Sequence, residues 1–465
     1  MNKMKSPTSK TELARAPLAS LLDLALNDCT CGRAHRVPTR EVLLESGALD
    51  RLPDLAQRYL SDGPLTCAVD ANTWSAAGQR ATERLQQSGR PLTVHFFDHS
   101  SRQVHADQHA VEDLVDVIRN QNCAGVVAVG SGTINDICKS AATITQIPLV
   151  TVATAASMNG YTSAISALTV HGLKVTESCG PPAAIIADPD ILASAPAKMN
   201  AAGFGDLLSK NASTADWLMS HNLMGEYYCE LPSAVVEEAI QSCIAQADAI
   251  RKNDPDGLKT LIEALLRSGI SMVMAGSSSP ASGGEHLISH LWDMTAHWTG
   301  RTPAMHGEQT GVTTLVSLAL YERLLALDSK AIRSKKVIPE YEDLTAFEND
   351  MHAAFRDIAD AVLPFARRKY LDAKLLGARR ELIASKWDDI RQALSGVVIP
   401  AEQSREYLQS AGAVHRMEDL GITKDELSFA FRYARWIRDR YTVLDLAADI
   451  GVLEEWTDEI IQVVC

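Results

Sequence analysis

The chain is short of positive charge: 44 Lys and Arg stand against 58 Asp and Glu, a formal net charge of −14. Binding to nucleic acid draws on counterion release by clustered cations, so a nucleic-acid partner is not expected. Long apolar runs are also missing. The charge-free stretch 268–284 is rich in Ser, Gly and Ala, and a bilayer span needs about 20 apolar residues. The first 28 residues mix Lys3, Lys5 and Lys10 with Glu12, Asp23 and Asp28. They contain no apolar core of a secretory signal, so none is expected. Cysteines are nine, an odd number, scattered from Cys29 to Cys465. A chain of this size needs no disulfide staples, which points to the reducing cytoplasm. Aromatics are only 5%, yet hydrophobic residues reach 46% of 465 positions. That content argues against disorder and allows sizeable cores. At about 150 residues per domain the length fits roughly three domains, or two large ones.

The two parts of the chain read differently. Before residue 200, short β-branched runs at 65–70 (LTCAVD), 92–98 (LTVHFFD), 125–129 (GVVAV), 148–152 (PLVTV) and 183–188 (AAIIAD) predict buried strands. Helical patterns lie between them, at 73–87 and 111–121 among others. Strand–helix alternation predicts a mainly parallel sheet covered by helices. After residue 200, 3.6-residue periods dominate, at 234–252, 258–274, 310–326, 344–363, 374–394 and 424–439. The expected division is an α/β dinucleotide-binding domain over 1–200 and an all-helical metal- and substrate-binding domain over 201–465. The segment 328–341, with Lys330, Arg333, Lys335 and Lys336, reads as a solvated loop or helix end.

Gly130-Ser131-Gly132-Thr133-Ile134-Asn135-Asp136 follows a predicted strand and opens a helix. Glycines there let backbone approach a phosphate, and a helix N-terminus offers free N–H groups and a positive dipole end. A simple tight strand–helix turn is the alternative. The run is not the full dinucleotide fingerprint, because Asn135 stands at its third glycine position. Asp70 and Asn72, after the first strong strand, are candidates for a ribose hydroxyl or a plain strand-end turn.

Three segments carry candidate metal ligands. Asp206 lies in GFGD, His286 and His290 are four apart in GEHLISH, and His306 lies in MHGE. The four-residue spacing puts His286 and His290 on one helix face. An Asp and neutral His side chains suit a divalent ion, and three ligands leave a position open for substrate. Glu285 reads equally well as a surface residue.

Taken in order, GSGTIND, ATAASMNGYTSAISAL, PPAAIIADPDILASAP, AGFGDLLSKNASTADW, SGGEHLISH and MHGEQTGV resemble one family. It is the sn-glycerol-1-phosphate dehydrogenase family, within the superfamily of iron-containing alcohol dehydrogenases, glycerol dehydrogenases and dehydroquinate synthase. The early CTCGRAH and the late RDRYTVLDLAADIG extend the resemblance over about residues 29–451. The AGFGDLLSK and GGEHLISH segments are its specific parts, whereas the glycine loop is shared across the superfamily.

The resemblance implies a dehydroquinate synthase-like architecture: a Rossmann-like α/β domain, an all-α C-terminal domain and an active site between them. It implies NAD or NADP and one divalent metal, zinc first, with nickel or iron as alternatives. Gly130, Ser131, Gly132, Thr133 and Asp136 match the pyrophosphate loop; Thr154, Ser157 and Ser163 match further cofactor contacts. Asp206, His286 and His306 match the metal ligands, His290 the substrate-side histidine, and Lys174 a lysine near the cleft. The expected reaction is reduction of dihydroxyacetone phosphate to sn-glycerol 1-phosphate, reversibly, in a cytoplasmic homodimer. Lys174 and Lys210 are candidates for the substrate phosphate. One position departs: Asn159 stands where the family has a substrate-contacting Asp. Asn keeps the reach but has no charge, which brings in a related alcohol or polyol substrate and, further off, a dehydroquinate synthase-like lyase. Cys29, Cys31 and His35 have the look of half a zinc site. With no second Cys/His pair at finger-like spacing, the segment reads as an entry to the first strand.

Overall fold

A computed structural model describes residues 10–97, 104–336 and 338–465. Six parallel strands form one sheet in the order Glu41–Leu43, Ala184–Ile186, Leu149–Ala153, Gly125–Gly130, Leu65–Val69 and Leu92–Phe96. The four inner strands are buried along their whole length. That is why each reads as a continuous apolar run and not as an alternation. Leu92–Phe96, at an edge, is half-buried throughout, and Asp98, its expected end, lies outside the described residues. Separate apolar clusters flank the sheet. Leu52, Leu55 and Leu85 belong to one, and Leu114, Ile118 and Ile137 to the other.

After Leu65–Val69 the chain adds Leu92–Phe96 on one side, then returns to place Gly125–Gly130 on the other. The strand order therefore reverses between Leu65–Val69 and Gly125–Gly130, and a crevice opens at their carboxyl ends. The glycine loop and Asp70 both lie there. Gly130 ends its strand so close to the following helix that a Cβ would meet the Ile134 Cβ at 2.5 Å.

The expected strands appear, and three further pairings do too. Glu41–Leu43 extends the sheet at its edge. Ala25–Leu26 pairs with His35–Arg36, and Ile165–Val170 with Leu173–Ser178, as antiparallel hairpins outside it. In the second hairpin His171 and Gly172 both take positive φ, 49° and 78°, the signature of a tight primed turn.

The rest of the chain is helical around one extended apolar cluster. The N-terminal Leu13, Leu18 and Leu21 join that cluster, beside Ile240 and Leu261. Helices Pro255–Ala275, His306–Leu325 and Ala373–Leu394 follow the predicted periods closely. The 344–363 period is instead broken at Arg356, whose φ is 47°, into Leu344–Phe355 and Ala359–Lys369. The 234–252 period divides into Glu230–Ala245 and Ala247–Arg251. In the basic segment a short helix, Ser329–Ser334, forms.

Candidate metal and cofactor cleft

Asp206 lies near the end of helix Ala197–Leu208. His286 sits in the first turn of Gly284–Thr299, and His306 begins His306–Leu325. Two of these helices approach unusually closely. A Cβ on Gly307 would lie 1.9 Å from the Ala202 carbonyl oxygen, and one on Gly205 2.4 Å from that of Gly307. Hydrogen at these positions is what lets backbone meet backbone, and the approach carries His306 to Asp206.

The ligand atoms of Asp206, His286 and His306 lie within 4.8 Å of one another. His286 Nε2 is 3.7 Å and His306 Nε2 3.9 Å from Asp206 Oδ1. His286 Nδ1 donates to Glu285 Oε1 at 2.7 Å, which leaves the Nε2 lone pair facing the carboxylate. Glu285 is therefore not a surface residue; it is fully buried. Asp206 Oδ2 accepts the Asn159 backbone N–H at 3.0 Å, and Oδ1 accepts Lys210 Nζ at 2.7 Å. A carboxylate oxygen has lone pairs enough to serve both Lys210 and an ion.

The charge states suit a cation. Burial raises the Asp206 carboxyl, but the charge of Lys210, joined in acid by protonated His306 and His286, outweighs it and holds the group at about 2. Burial lowers His286, His290 and His306, so all three are neutral near pH 7. One carboxylate and two neutral imidazoles with an open side fit a divalent metal. Behind them, burial pushes Glu285 up, and burial with the charge of Glu285 pushes up Asp216. Asp216 accepts the backbone N–H of Gly284 and of Val443, each at 2.7 Å, which pins the start of the His286 helix.

A cavity of about 210 Å³ joins this cluster to the glycine loop. Gly132, Thr133 and Asp136 of the glycine loop line it, as do His286, His290 and His306, together with Asn159, Ser163 and Lys174. Ser131 is the N-cap of Gly132–Thr145 and makes no side-chain cap bond. The first-turn N–H groups of that helix therefore remain available to an anion. His290 Nδ1 is buried with no partner among the described residues.

Other expected residues sit beside the cavity and not on its wall. The Thr154 N–H donates to the Gly130 carbonyl at 3.2 Å, bracing the loop. Ser157 does not line the cavity. Asp70 caps the next helix, accepting the Thr73 N–H at 2.7 Å. Lys210 does not reach the cavity; its Nζ is spent on Asp206, Ser209 Oγ and the Ala281 carbonyl. That corrects its reading as a phosphate ligand, because the same burial that makes it a partner for Asp206 removes it from substrate.

Lys139, Arg438 and Arg440 carry structural roles that the sequence did not signal. Lys139 Nζ pairs with Asp136 Oδ1 at 2.9 Å and donates to the Gly160 carbonyl at 2.8 Å. It thereby ties the glycine-loop helix to the SMNG turn. Arg438 donates to the Lys174 carbonyl at 2.8 Å and to Thr176 Oγ1 at 3.1 Å. Arg440 donates to Ser278 Oγ at 2.8 Å and to the Ser282 carbonyl. A lone Arg or Lys in a helical pattern looks like a surface group; only the fold brings these to the cleft.

The family model for iron-containing alcohol dehydrogenases matches residues 43–196. The glycerol-1-phosphate dehydrogenase [NAD(P)+] of Halalkalibacterium halodurans is 35% identical over 303 residues, covering 64% of this chain and 74% of that protein. The protein of the same name from Bacillus subtilis is 31% identical over 409 residues, 88% of this chain and 91% of the relative. Among solved structures, a probable glycerol dehydrogenase from Sinorhizobium meliloti superposes with a TM-score of 0.59 at 17% identity, covering 90% of this chain and 98% of that one. An NADH-dependent butanol dehydrogenase from Thermotoga maritima gives 0.58 at 13% identity, covering 92% and 98%. These likenesses confirm the architecture: a parallel-sheet N-terminal part and a helical remainder.

Proposed function

Since the chain belongs to the glycerol-1-phosphate dehydrogenase family, we propose that it reduces dihydroxyacetone phosphate to sn-glycerol 1-phosphate, reversibly, with NAD(P)H and one divalent metal. The observation that carries this reading is the single cavity running from a free helix N-terminus to an Asp–His–His cluster.

In this reading the first-turn N–H groups after Ser131 hold the cofactor pyrophosphate. Asp206, His286 and His306 hold the metal, which we take as Zn²⁺, with Ni²⁺ or Fe²⁺ as alternatives. When bound, the dication polarises the substrate oxygen as a Lewis acid and the cofactor supplies the hydride. Glu285 fixes the His286 tautomer through the 2.7 Å bond at Nδ1. His290, neutral and lining the same cavity, hydrogen-bonds the reacting oxygen and relays a proton from water to it in the reduction, the reverse in the oxidation. Lys174 lines the cavity, and its ammonium draws the substrate phosphate. Cytoplasmic residence is supported by the nine free cysteines, and no helix among the described residues is long and apolar enough to cross a membrane. A homodimer belongs to the same proposal, with sedimentation equilibrium as its test.

A related alcohol or polyol substrate is the second reading, because the neutral Asn159 lines the cavity. The deciding experiment loads the purified chain with Zn²⁺ or Ni²⁺. NAD(P)H oxidation is then followed with dihydroxyacetone phosphate, dihydroxyacetone and a panel of plain ketones. Turnover of the phosphorylated ketone above the others is expected. Turnover confined to unphosphorylated ketones overturns the substrate assignment.

A further inference from the structure

Apart from the Asp–His–His cluster, four further side chains converge. Cys29 and Cys31 lie in the turn of the hairpin Ala25–Leu26/His35–Arg36, and His35 opens its second strand. Cys229 stands at the N-cap of helix Glu230–Ala245, about 200 residues later in sequence. One ligand atom from each of the four lies within 4.8 Å of the others.

We propose that Cys29, Cys31, His35 and Cys229 form a second metal site, a closed structural Zn²⁺ site that clips the N-terminal hairpin to the helical part of the molecule. Three of the six ligand–ligand separations are near the edges of a zinc tetrahedron, and the others lie within 4.8 Å. Zn–S bonds of about 2.3 Å and Zn–N bonds of about 2.05 Å set edges of about 3.8 Å between two sulfurs and about 3.6 Å between sulfur and nitrogen. The structure has Cys29 Sγ 3.8 Å from Cys229 Sγ, and His35 Nε2 3.6 Å from Cys229 Sγ and 3.3 Å from Cys31 Sγ. His35 is already in the ligating tautomer. Its Nδ1 donates to the Met274 carbonyl at 2.8 Å, which turns the Nε2 lone pair toward the sulfurs.

The surroundings suit a thiolate-rich ion. Trp217, Ala275 and Leu231 form an apolar wall, and the Tyr227 hydroxyl donates to Cys31 Sγ at 3.2 Å. Three thiolates and one dication leave a single negative charge. The Arg33 guanidinium lies 3.5 Å from the centroid of the Tyr227 ring, whose hydroxyl contacts Cys31. Binding releases the three thiol protons to solvent, and no oxidant is involved. A disulfide is the competing use of these cysteines, but a bond of about 2.05 Å between Cys29 and Cys229 gives no role to the convergence of Cys31 and His35 on the same point. Three thiolates and one imidazole in a four-ligand set select zinc over the harder divalent ions and leave no position for substrate. The sequence shows only half of the site, because its fourth ligand is a single cysteine in another part of the chain.

Cobalt separates this site from the catalytic one, since Asp206, His286 and His306 contribute no sulfur. The full-length chain, stripped of metal under reducing conditions, is titrated with Co²⁺ alone. A thiolate-to-cobalt charge-transfer band is expected, displaced by Zn²⁺, retained in His306→Ala and lost in Cys29→Ser, Cys31→Ser and Cys229→Ser. Cys31 is half-exposed, so Cys31→Ser keeps its circular dichroism and decides the matter if a buried variant misfolds. No band in the wild type, or a band that survives these substitutions, overturns the proposal. So does a Cys29–Cys229 disulfide found by mass spectrometry in metal-free protein as purified.

Discussion

Asn159 contributes two different groups to the site. Its backbone N–H holds Asp206, while its amide donates to Ser268 Oγ at 3.2 Å. An Asp at this position would accept from that serine and keep the shape of the turn. Asn159→Asp is therefore expected to change kcat/KM for dihydroxyacetone phosphate by less than about tenfold, or about 1.4 kcal/mol of transition-state stabilisation. A larger rise would favour the polyol reading. In the proposed site Glu285 would act on the metal through its bond to His286 Nδ1. Glu285→Gln keeps an acceptor for Nδ1–H but removes the carboxylate, and about a 10–100-fold loss of metal affinity is expected. Competition with a chelating indicator measures it. The residues of the Asp–His–His cluster were legible from the sequence, because GFGD, GEHLISH and MHGE are local motifs. Glu285 and Lys139 were not, because burial of a charged side chain depends on what packs over it.

At the scale of elements, the helices bearing Asp206 and His306 meet at Gly205, Gly307 and Gly311. Gly307→Ala sets a methyl against the Ala202 carbonyl, and backbone cannot rotate aside as a side chain can. About 1–3 kcal/mol of destabilisation is expected, with loss of the catalytic metal. Thermal melting and metal content of one sample test both. Helix Val443–Ile450 gives a pH signature. Burial first, and the Asp445 charge second, push Asp449 from 3.8 up to about 6. A carboxyl raised on folding stabilises the fold fully below about pH 4, and that contribution is lost as pH rises through 6. Asp449→Asn keeps an oxygen for the Tyr441 hydroxyl, which lies 2.9 Å from Oδ2. The wild type should lose on the order of 2 kcal/mol more than this variant between pH 4 and pH 7. Urea midpoints across that range show it. The inner strands and several long helices were readable because each carries a strong period. Glu41–Leu43 is too short to show one. The His171-Gly172 turn did carry a signal, a φ-permissive pair between alternating runs.

For the whole molecule, a net charge of −14 must coexist with a cleft for two anionic ligands. The structure gathers positive groups locally: a helix N-terminus, Lys174, Arg438 and the place for a dication. Cofactor binding should therefore stabilise the chain through linkage. NADH at a hundredfold excess over its Kd is expected to add about 2.7 kcal/mol. A melting temperature unmoved by NADH would count against the cleft. Patterns of a few residues sufficed in the sequence for the parallel sheet, the helical remainder, the glycine loop and the Asp–His–His set, because period, turn chemistry and motif are local properties. Tertiary structure alone decided which lysine serves the metal ligand and which lines the cavity, why Glu285 is buried, and that Cys229 completes the Cys29–Cys31–His35 group. The physical reason is the same in each case. Convergence of residues distant along the chain follows from how helices and sheet pack, and no window of sequence contains both partners.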